Sequence, residues 1–240
     1  MALDHALLHR ARETGETVLR VYGWSAPVLS LGRNQRARGM YDESALASRS
    51  LEVVRRPTGG RALLHHREIT YSVTAPYHGE MSVASVYRRT NLLLINALHS
   101  LGVPAEIAAP VTRAPGLTAA PCFAEPSAGE IVFHGRKLAG SAQWCDDGAL
   151  LQHGSVLIED DQREIASLMR QPMPSPPPPA TLHEAMGRVP TIAEFADAIF
   201  HAARMLEDAD AKLLREDESL VACAATLERS YADPATVWRR

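Results

Sequence analysis

The amino-acid sequence predicts an α+β fold with a mixed or antiparallel sheet. Stretches with strand spacing are grouped, and they do not alternate one-for-one with helical stretches as a doubly wound fold requires. Glycine and proline bound those stretches at short intervals. A long amphipathic helical pattern over residues 82–101 separates one group of strands from the next.

Leu3, Leu7 and Leu8 share one face of a helix over residues 2–14, and Gly15 stands where that helix can end. Residues 18–22 and 28–31 read as short strands bounded by Gly23, Pro27 and Gly32. Asp42 is placed to cap a helix reaching Arg49. A strand at 51–56 runs into Pro57-Thr58-Gly59-Gly60, and residues 61–65 and 69–74 read as strands again. Ser82 is placed to cap the long helix, whose apolar stripe is Val83, Val86, Leu93, Leu94, Ala97 and Leu98, with Gly102 as its stop.

Residues 110–121, rich in Ala, Pro and Thr, read as a loop. Residues 130–133 and 136–139 flank His134-Gly135 as a hairpin with a tight turn, and 150–158 is the next strand. The run PMPSPPPP reads as a stiff extended linker. Thr191 and Glu194 match a capping box that opens an apolar helix to about Leu206. The expected organisation is a catalytic domain over 1–171, a Pro-rich linker over 172–180 and a helical segment over 181–240. That last segment is either a separate piece or part of the same domain.

The chain has 240 residues, 46% hydrophobic and 22% charged, with a formal net charge of −3. These are ordinary globular values, and they argue against bulk nucleic-acid binding. No run of about 18 apolar residues exists, so no membrane partner is expected. The opening MALDHALLHR lacks the apolar stretch of a signal peptide, and the expected location is the cytoplasm. Cys122, Cys145 and Cys223 are odd in number and widely spaced, which argues against a disulfide framework and a zinc knuckle. No metal is expected. Cys145 and Cys223 read as structural.

Three segments can carry chemistry. In Arg55-Arg56-Pro57-Thr58-Gly59-Gly60-Arg61, followed by His65-His66, paired glycines let backbone approach a ligand closely. The arginines there add positive charge and fork-shaped donors for a phosphate or a carboxylate. The segment is neither a Walker A loop nor a dinucleotide fingerprint, and a plain hairpin turn with solvated arginines is the alternative. The second segment places Cys122 between an Ala/Pro loop and a Pro-Ser stretch, either as an accessible nucleophile or as a small buried hydrophobe. In the third, Lys137 follows the tight turn and precedes the small residues Gly140, Ser141 and Ala142, which leave room for a ligand. An ammonium beside a sulfur favours thiolate and can hold a developing oxyanion, whereas a solvent-facing lysine does neither. His153 either lines a pocket or is a hydrogen-bonded structural residue.

Taken together these residues have a known likeness. RRPTGGRALLHHREITYSV at 55–73 resembles the lipoate-protein ligase / octanoyltransferase family, relatives of biotin protein ligase. APCFAEPSAGEIVFHGRKLAGSAQ at 120–143 resembles its cysteine-dependent octanoyl-[acyl carrier protein]:protein N-octanoyltransferase branch. The segments MALDHALL, LQHGSVLI and SYADPATVW resemble that branch too.

The resemblance implies a biotin/lipoate ligase-like fold, with a central mixed sheet flanked by helices and an apolar acyl tunnel. It implies that a cysteine takes octanoyl from acyl carrier protein as a thioester. The acyl group then passes to a lysine of a lipoyl domain, such as glycine cleavage H protein or a dehydrogenase E2 subunit. Cys122 matches the nucleophile and Lys137 its lysine, while Thr58, Gly59, Gly60 and Arg61 match the acyl-binding turn. Arg56, His65, Gly140, Ser141, Ala142 and His153 complete the expected substrate-binding set. No cofactor is then needed.

ATP and Mg²⁺ belong to the alternative, a lipoate ligase. An amidotransferase between lipoyl domains and a non-catalytic acyl- or carrier-binding module are further alternatives. Two departures stand out: His66 occupies a position that is acidic in the family, and the family's strand before the MALD helix has no counterpart, so an N-terminal edge strand is expected to be missing.

Overall fold

The computed structural model describes residues 1–109, 122–124, 126–171, 173–215 and 217–239. The loop expected at 110–121 lies outside the described residues.

The elements follow the punctuation of the chain. Helix α1 (Ala2–Thr14) ends at Gly15 with φ 75°, a left-handed conformation that glycine adopts at little cost. Strands β1 (Val18–Tyr22), β2 (Val28–Leu31), β3 (Glu52–Arg55), β4 (Leu63–His65) and β5 (Glu68–Pro76) follow, with α2 (Glu43–Ser48) between β2 and β3. The Asp42 side chain accepts from the amides of Ser44 and Ala45 at the start of α2. Helix α3 (Val83–Ser100) begins at Ser82, whose hydroxyl accepts from Ser85 N. Then come β6 (Glu106–Ile107), β7 (Ile131–Phe133), β8 (Arg136–Asp146) and β9 (Ala149–Leu157), a 3-10 helix (Gln162–Leu168), α4 (Leu182–Met186), α5 (Ile192–Leu206), α6 (Glu218–Ala232) and α7 (Pro234–Val237). The capping box of Thr191 and Glu194 opens α5.

Two sheets result. The larger has the order β1-β5-β9-β8-β7-β6, and each of its pairings is antiparallel. The parallel pairing lies in the smaller sheet, β3-β2-β4, where β2 runs parallel to β3 and antiparallel to β4. A parallel pair needs a crossover, and the segment containing α2 provides it.

Several strand boundaries differ from the sequence expectation, and for β4 and β8 the reason is visible. Strand β4 starts at Leu63 rather than at 61, because the carbonyls of Arg61 and Ala62 accept from Arg56 Nη2 and from Cys122 N. Strand β8 continues past 139 through Gly140, Ser141 and Ala142, which pair with Ser155, Gly154 and His153 of β9. Small residues have weak strand propensity alone, and here the cross-strand partners decide.

The main core sits where the larger sheet meets α3 and α5. Ile69, Tyr71, Leu94, Leu98, Leu138 and Val156 pack there with Leu182, Phe195 and Ile199. Residues on both sides of the Pro-rich stretch therefore share one apolar cluster. That stretch is tied to β8 by Ala180 N donating to Lys137 O at 2.9 Å and Arg136 Nη1 to Pro179 O at 3.1 Å. Helix α6 packs on α1 through Leu220 against Ala6 and Leu7.

A fully buried carboxylate, Asp4, joins α1 to the sheet. It accepts from Arg20 Nη1 at 2.8 Å, Tyr22 OH at 2.8 Å and Ser72 Oγ at 2.7 Å. Burial works to raise its pKa, but the amino terminus and the Arg20 guanidinium outweigh that and hold it at about 2.

Candidate active site

The β7–β8 hairpin positions the lysine. His134 (φ 50°) and Gly135 (φ 72°) both take positive φ, as a two-residue hairpin turn of primed type requires. The register then slips, so that Val132 faces Lys137 and Ile131 faces Ala139. A bulge of this kind re-aims a side chain, and Lys137 is left only 2% exposed.

Lys137 Nζ lies 2.7 Å from Glu130 Oε1, 2.9 Å from the Cys122 carbonyl oxygen and 3.5 Å from Cys122 Sγ. An ammonium has three N–H donors, and here they meet a carboxylate, a carbonyl and a sulfur. A buried cation needs a counter-charge, and Glu130 supplies it while its other oxygen accepts from Ser127 N at 2.7 Å. Gly140 makes room, because a Cβ there would stand 2.7 Å from Lys137 Cε and 3.0 Å from Nζ.

Cys122 is half-buried, so its sulfur is neither sealed in the core nor loose on the surface. Its amide donates to Ala62 O at 2.9 Å, which fixes it beside the start of β4. Leu63, Phe123 and Leu157 form the apolar floor under it.

The Thr-Gly-Gly turn is held from beneath. All five N–H donors of Arg56 are engaged: Nε and Nη2 with Gly59 O, Nη1 with the Ser30 carbonyl and hydroxyl, and Nη2 also with Arg61 O. Arg55 donates to the carbonyls of Gly32, Gln35 and Val237, and Arg61 Nη2 donates to Cys122 O at 3.4 Å. Arg55, Arg56 and Arg61 are 2%, 4% and 8% exposed.

This corrects the expectation of an anion ligand at Arg55 and Arg56, which brace the backbone instead, whereas Arg61 stands in the cavity wall. Arg56 in particular lines the site but has no donor left for a substrate. Gly32 completes the packing, since a Cβ there would meet Gly60 O at 2.0 Å.

Behind the turn, Thr58 Oγ1 and His153 Nε2 lie 2.6 Å apart. Burial disfavours the imidazolium and pushes His153 down to about 3, against the opposing charge of Asp4. An unfolded histidine takes up a proton near 6.5. The unfolded chain therefore binds more protons than the folded one below that value, and stability declines as pH falls from about 6.5 toward 3. The limiting slope is about 1.4 kcal/mol per pH unit. Urea unfolding at several pH values across this window is expected to show a shallower slope for His153→Gln than for the wild type.

These groups enclose a cavity of about 320 Å³. Cys122, Lys137, Arg56, Gly59, Gly60, Arg61, His65, Gly140, Ser141, Ala142 and His153 line it, and Thr58 stands one layer behind through His153. His65 stacks on Trp24 at 4.2 Å, and its Nδ1 lies 2.9 Å from Glu68 Oε1. The carboxylate beside His65 is thus that of Glu68, while His66 itself is exposed and 4.0 Å from Asp161. Among the described residues no group of three or more His, Cys, Asp or Glu side chains could hold a metal ion.

The family model of the lipoyl protein ligase A/B catalytic domain matches residues 1–204. The chain belongs to this family. The octanoyltransferase LipM of Kyrpidia tusciae is 44% identical over 181 residues, which is 72% of this chain and 66% of that protein. LipM of Geobacillus kaustophilus is 41% identical over 184 residues, 72% of this chain and 65% of that protein. The match thus spans slightly under two thirds of the length of these curated relatives. The bi-partite lipoate protein ligase of Thermoplasma acidophilum superposes with a TM-score of 0.79 at 20% identity, over 99% of this chain and 89% of that one, a likeness of fold.

The lipoyl ligase family domain holds functional neighbours that sequence reasoning missed. Glu130 is one. Another is a buried chain from Tyr71 OH, which donates to Ser141 Oγ at 2.7 Å and accepts from Gln152 Nε2 at 3.1 Å. Gln152 Nε2 also lies 3.2 Å from Asn91 Oδ1, and Asn91 Nδ2 donates to Gly129 O at 2.7 Å. This chain links β5, β9 and α3 to the residue preceding Glu130. The available signal was polar residues at apolar positions, Asn91 in the helix stripe and Gln152 in the strand LLQHGSVL.

Proposed function

We propose that the chain is a protein N-octanoyltransferase that works through a thioester on Cys122. The observation that carries the reading is the placement of Lys137 Nζ 3.5 Å from Cys122 Sγ in the wall of one cavity. The likeness to octanoyltransferases supports the same chemistry.

In the first half-reaction Cys122 thiolate attacks the thioester carbonyl of octanoyl-acyl carrier protein. A new C–S bond forms to Cys122, the C–S bond to the carrier breaks, and the departing thiolate takes a proton from solvent. Lys137 stabilises the attacking sulfur and then the oxyanion of the tetrahedral adduct, because its third donor is the one aimed at the sulfur. In the second half-reaction the unprotonated ε-amine of a lipoyl-domain lysine attacks the acyl-enzyme. An amide bond forms, the C–S bond to Cys122 breaks, and the amine proton leaves to solvent.

The acceptor class is glycine cleavage H protein or a dehydrogenase E2 subunit. A covalent intermediate splits one meeting of three bulky groups into two successive ones. The thioester already carries the free energy of amide formation, so neither ATP nor Mg²⁺ takes part.

The apolar chain supplies affinity. Six methylenes at about 0.8 kcal/mol each contribute about 5 kcal/mol when buried. The test is steady-state transfer to a lipoyl domain with two donor systems. Octanoyl-carrier protein without nucleotide is expected to support turnover. Turnover only with free lipoate plus ATP and Mg²⁺ would contradict the reading in favour of a ligase.

A further inference from the structure

The buried arginines at 55–61 leave open which cations meet the donor, and a different set stands at the surface. We propose that the loop between β2 and α2 is a cationic docking surface for the acidic carrier protein that presents the acyl thioester. The proposal rests on the transferase reading above and names its donor-side contact.

Within residues 33–38 (Arg-Asn-Gln-Arg-Ala-Arg) there are three arginines and no acid, in a chain whose net charge is −3. Arg33, Arg36 and Arg38 are exposed, while the alternating Gln35 and Ala37 are buried. Exposed Arg239 joins them, donating to Arg33 O at 3.4 Å. None of these four guanidinium groups is ion-paired among the described residues. Gathering like charges without compensation costs energy in the free protein, and an acidic partner relieves it.

The loop is also rigid and adjoins the cavity. Arg55 Nη1 donates to Gly32 O at 2.6 Å and Gln35 O at 2.9 Å. Gln35 accepts from Gly32 N and donates to Tyr41 OH. Arg33 N donates to Thr58 O at 2.8 Å, so the loop is bonded to the turn whose Gly59 and Gly60 line the cavity. The Arg33 guanidinium lies 5.6 Å from the Trp144 ring, next to Gln143 of the cavity wall. A preorganised positive face at this position suits an acidic protein with a phosphodiester-linked arm that threads its acyl end toward Cys122.

The test is single-turnover acylation of Cys122 by wild type and by the Arg36→Glu/Arg38→Glu double variant. One donor is octanoyl-acyl carrier protein, and the other is octanoyl-pantetheine, which has neither protein nor phosphate. Electrostatic steering changes association rates by about 10-fold or more and fades with salt. With the protein donor the variant is expected to react about 10-fold or more slowly at low salt and to lose most of the wild-type salt dependence. With octanoyl-pantetheine the two proteins are expected to react equally.

Equal rates and equal salt dependence with the protein donor would overturn the docking proposal. So would a defect confined to discharge onto the lipoyl domain, which would assign the surface to the acceptor. A wild type that accepts octanoyl from neither donor would overturn the transferase reading itself, a separate and recognisable result.

Discussion

The Cys122→Ala variant is expected to lose octanoyl transfer by a factor on the order of 10⁴ or more, the scale seen when a covalent catalyst loses its nucleophile. That corresponds to about 5.5 kcal/mol of transition-state stabilisation. The substitution removes one half-buried sulfur and leaves the backbone bond from residue 122 to Ala62 O intact. Its thermal stability should therefore stay close to that of the wild type, and a melting curve separates lost chemistry from lost fold. Lys137 keeps two of its three contacts, Glu130 and the carbonyl of residue 122, so the rest of the site stays assembled. Acyl transfer that persists at near wild-type rate in this variant would leave no role for a thioester on Cys122.

The second large effect is at Lys137. Replacing it with methionine is expected to lower the rate of Cys122 acylation by about 10²–10³-fold, the usual loss for one preorganised oxyanion donor. Two effects compete for the explanation of such a loss. Removing the lysine also strands Glu130, whose side chain is 8% exposed, as a buried unpaired carboxylate. Breaking a buried pair from one side costs about 3–5 kcal/mol of stability, enough to unfold a marginal domain. The double variant Lys137→Met/Glu130→Gln removes both charges, and its amide oxygen can still accept from Ser127 N. That variant is expected to recover most of the stability lost in the single one and none of the activity. Recovery of activity together with stability would make the lysine a structural member of an ion pair. Rates are to be read by quenched-flow acylation and stabilities by urea unfolding.

Local signals made most of the architecture legible. Asp42, Ser82 and Thr191 each cap the helix predicted at that place, because an N-cap depends on a side chain and the amides two or three residues on. The turn at His134-Gly135 was legible for the same reason. Helix α6 was legible only as part of a helical segment over 181–240 and not by its bounds, since it packs on α1, more than 200 residues earlier in the chain, and its own pattern is weakly apolar.

The site divides in the same way. Glycine turns and small residues marked its walls at 58–61 and 140–142. The charges were harder to read, because burial inverts their meaning. Arg56 looks like an anion ligand in sequence, yet it spends every donor on three carbonyls and a hydroxyl. Glu130 looks like a surface residue at a strand end and is the counter-ion that orients Lys137. His65 finds its carboxylate at Glu68, across a strand turn that no single-residue comparison reveals.

Mapping the octanoyl group after one turnover probes the reaction path most directly. Protein mixed with octanoyl-carrier protein is acid-quenched at intervals, digested and analysed by peptide mass. The octanoyl group should be found on the peptide containing Cys122, in a bond cleaved by hydroxylamine. It should form at least as fast as overall transfer and disappear when an unmodified lipoyl domain is added without ATP. An acyl group that reaches the lipoyl domain at the full rate while never residing on Cys122 would contradict the account.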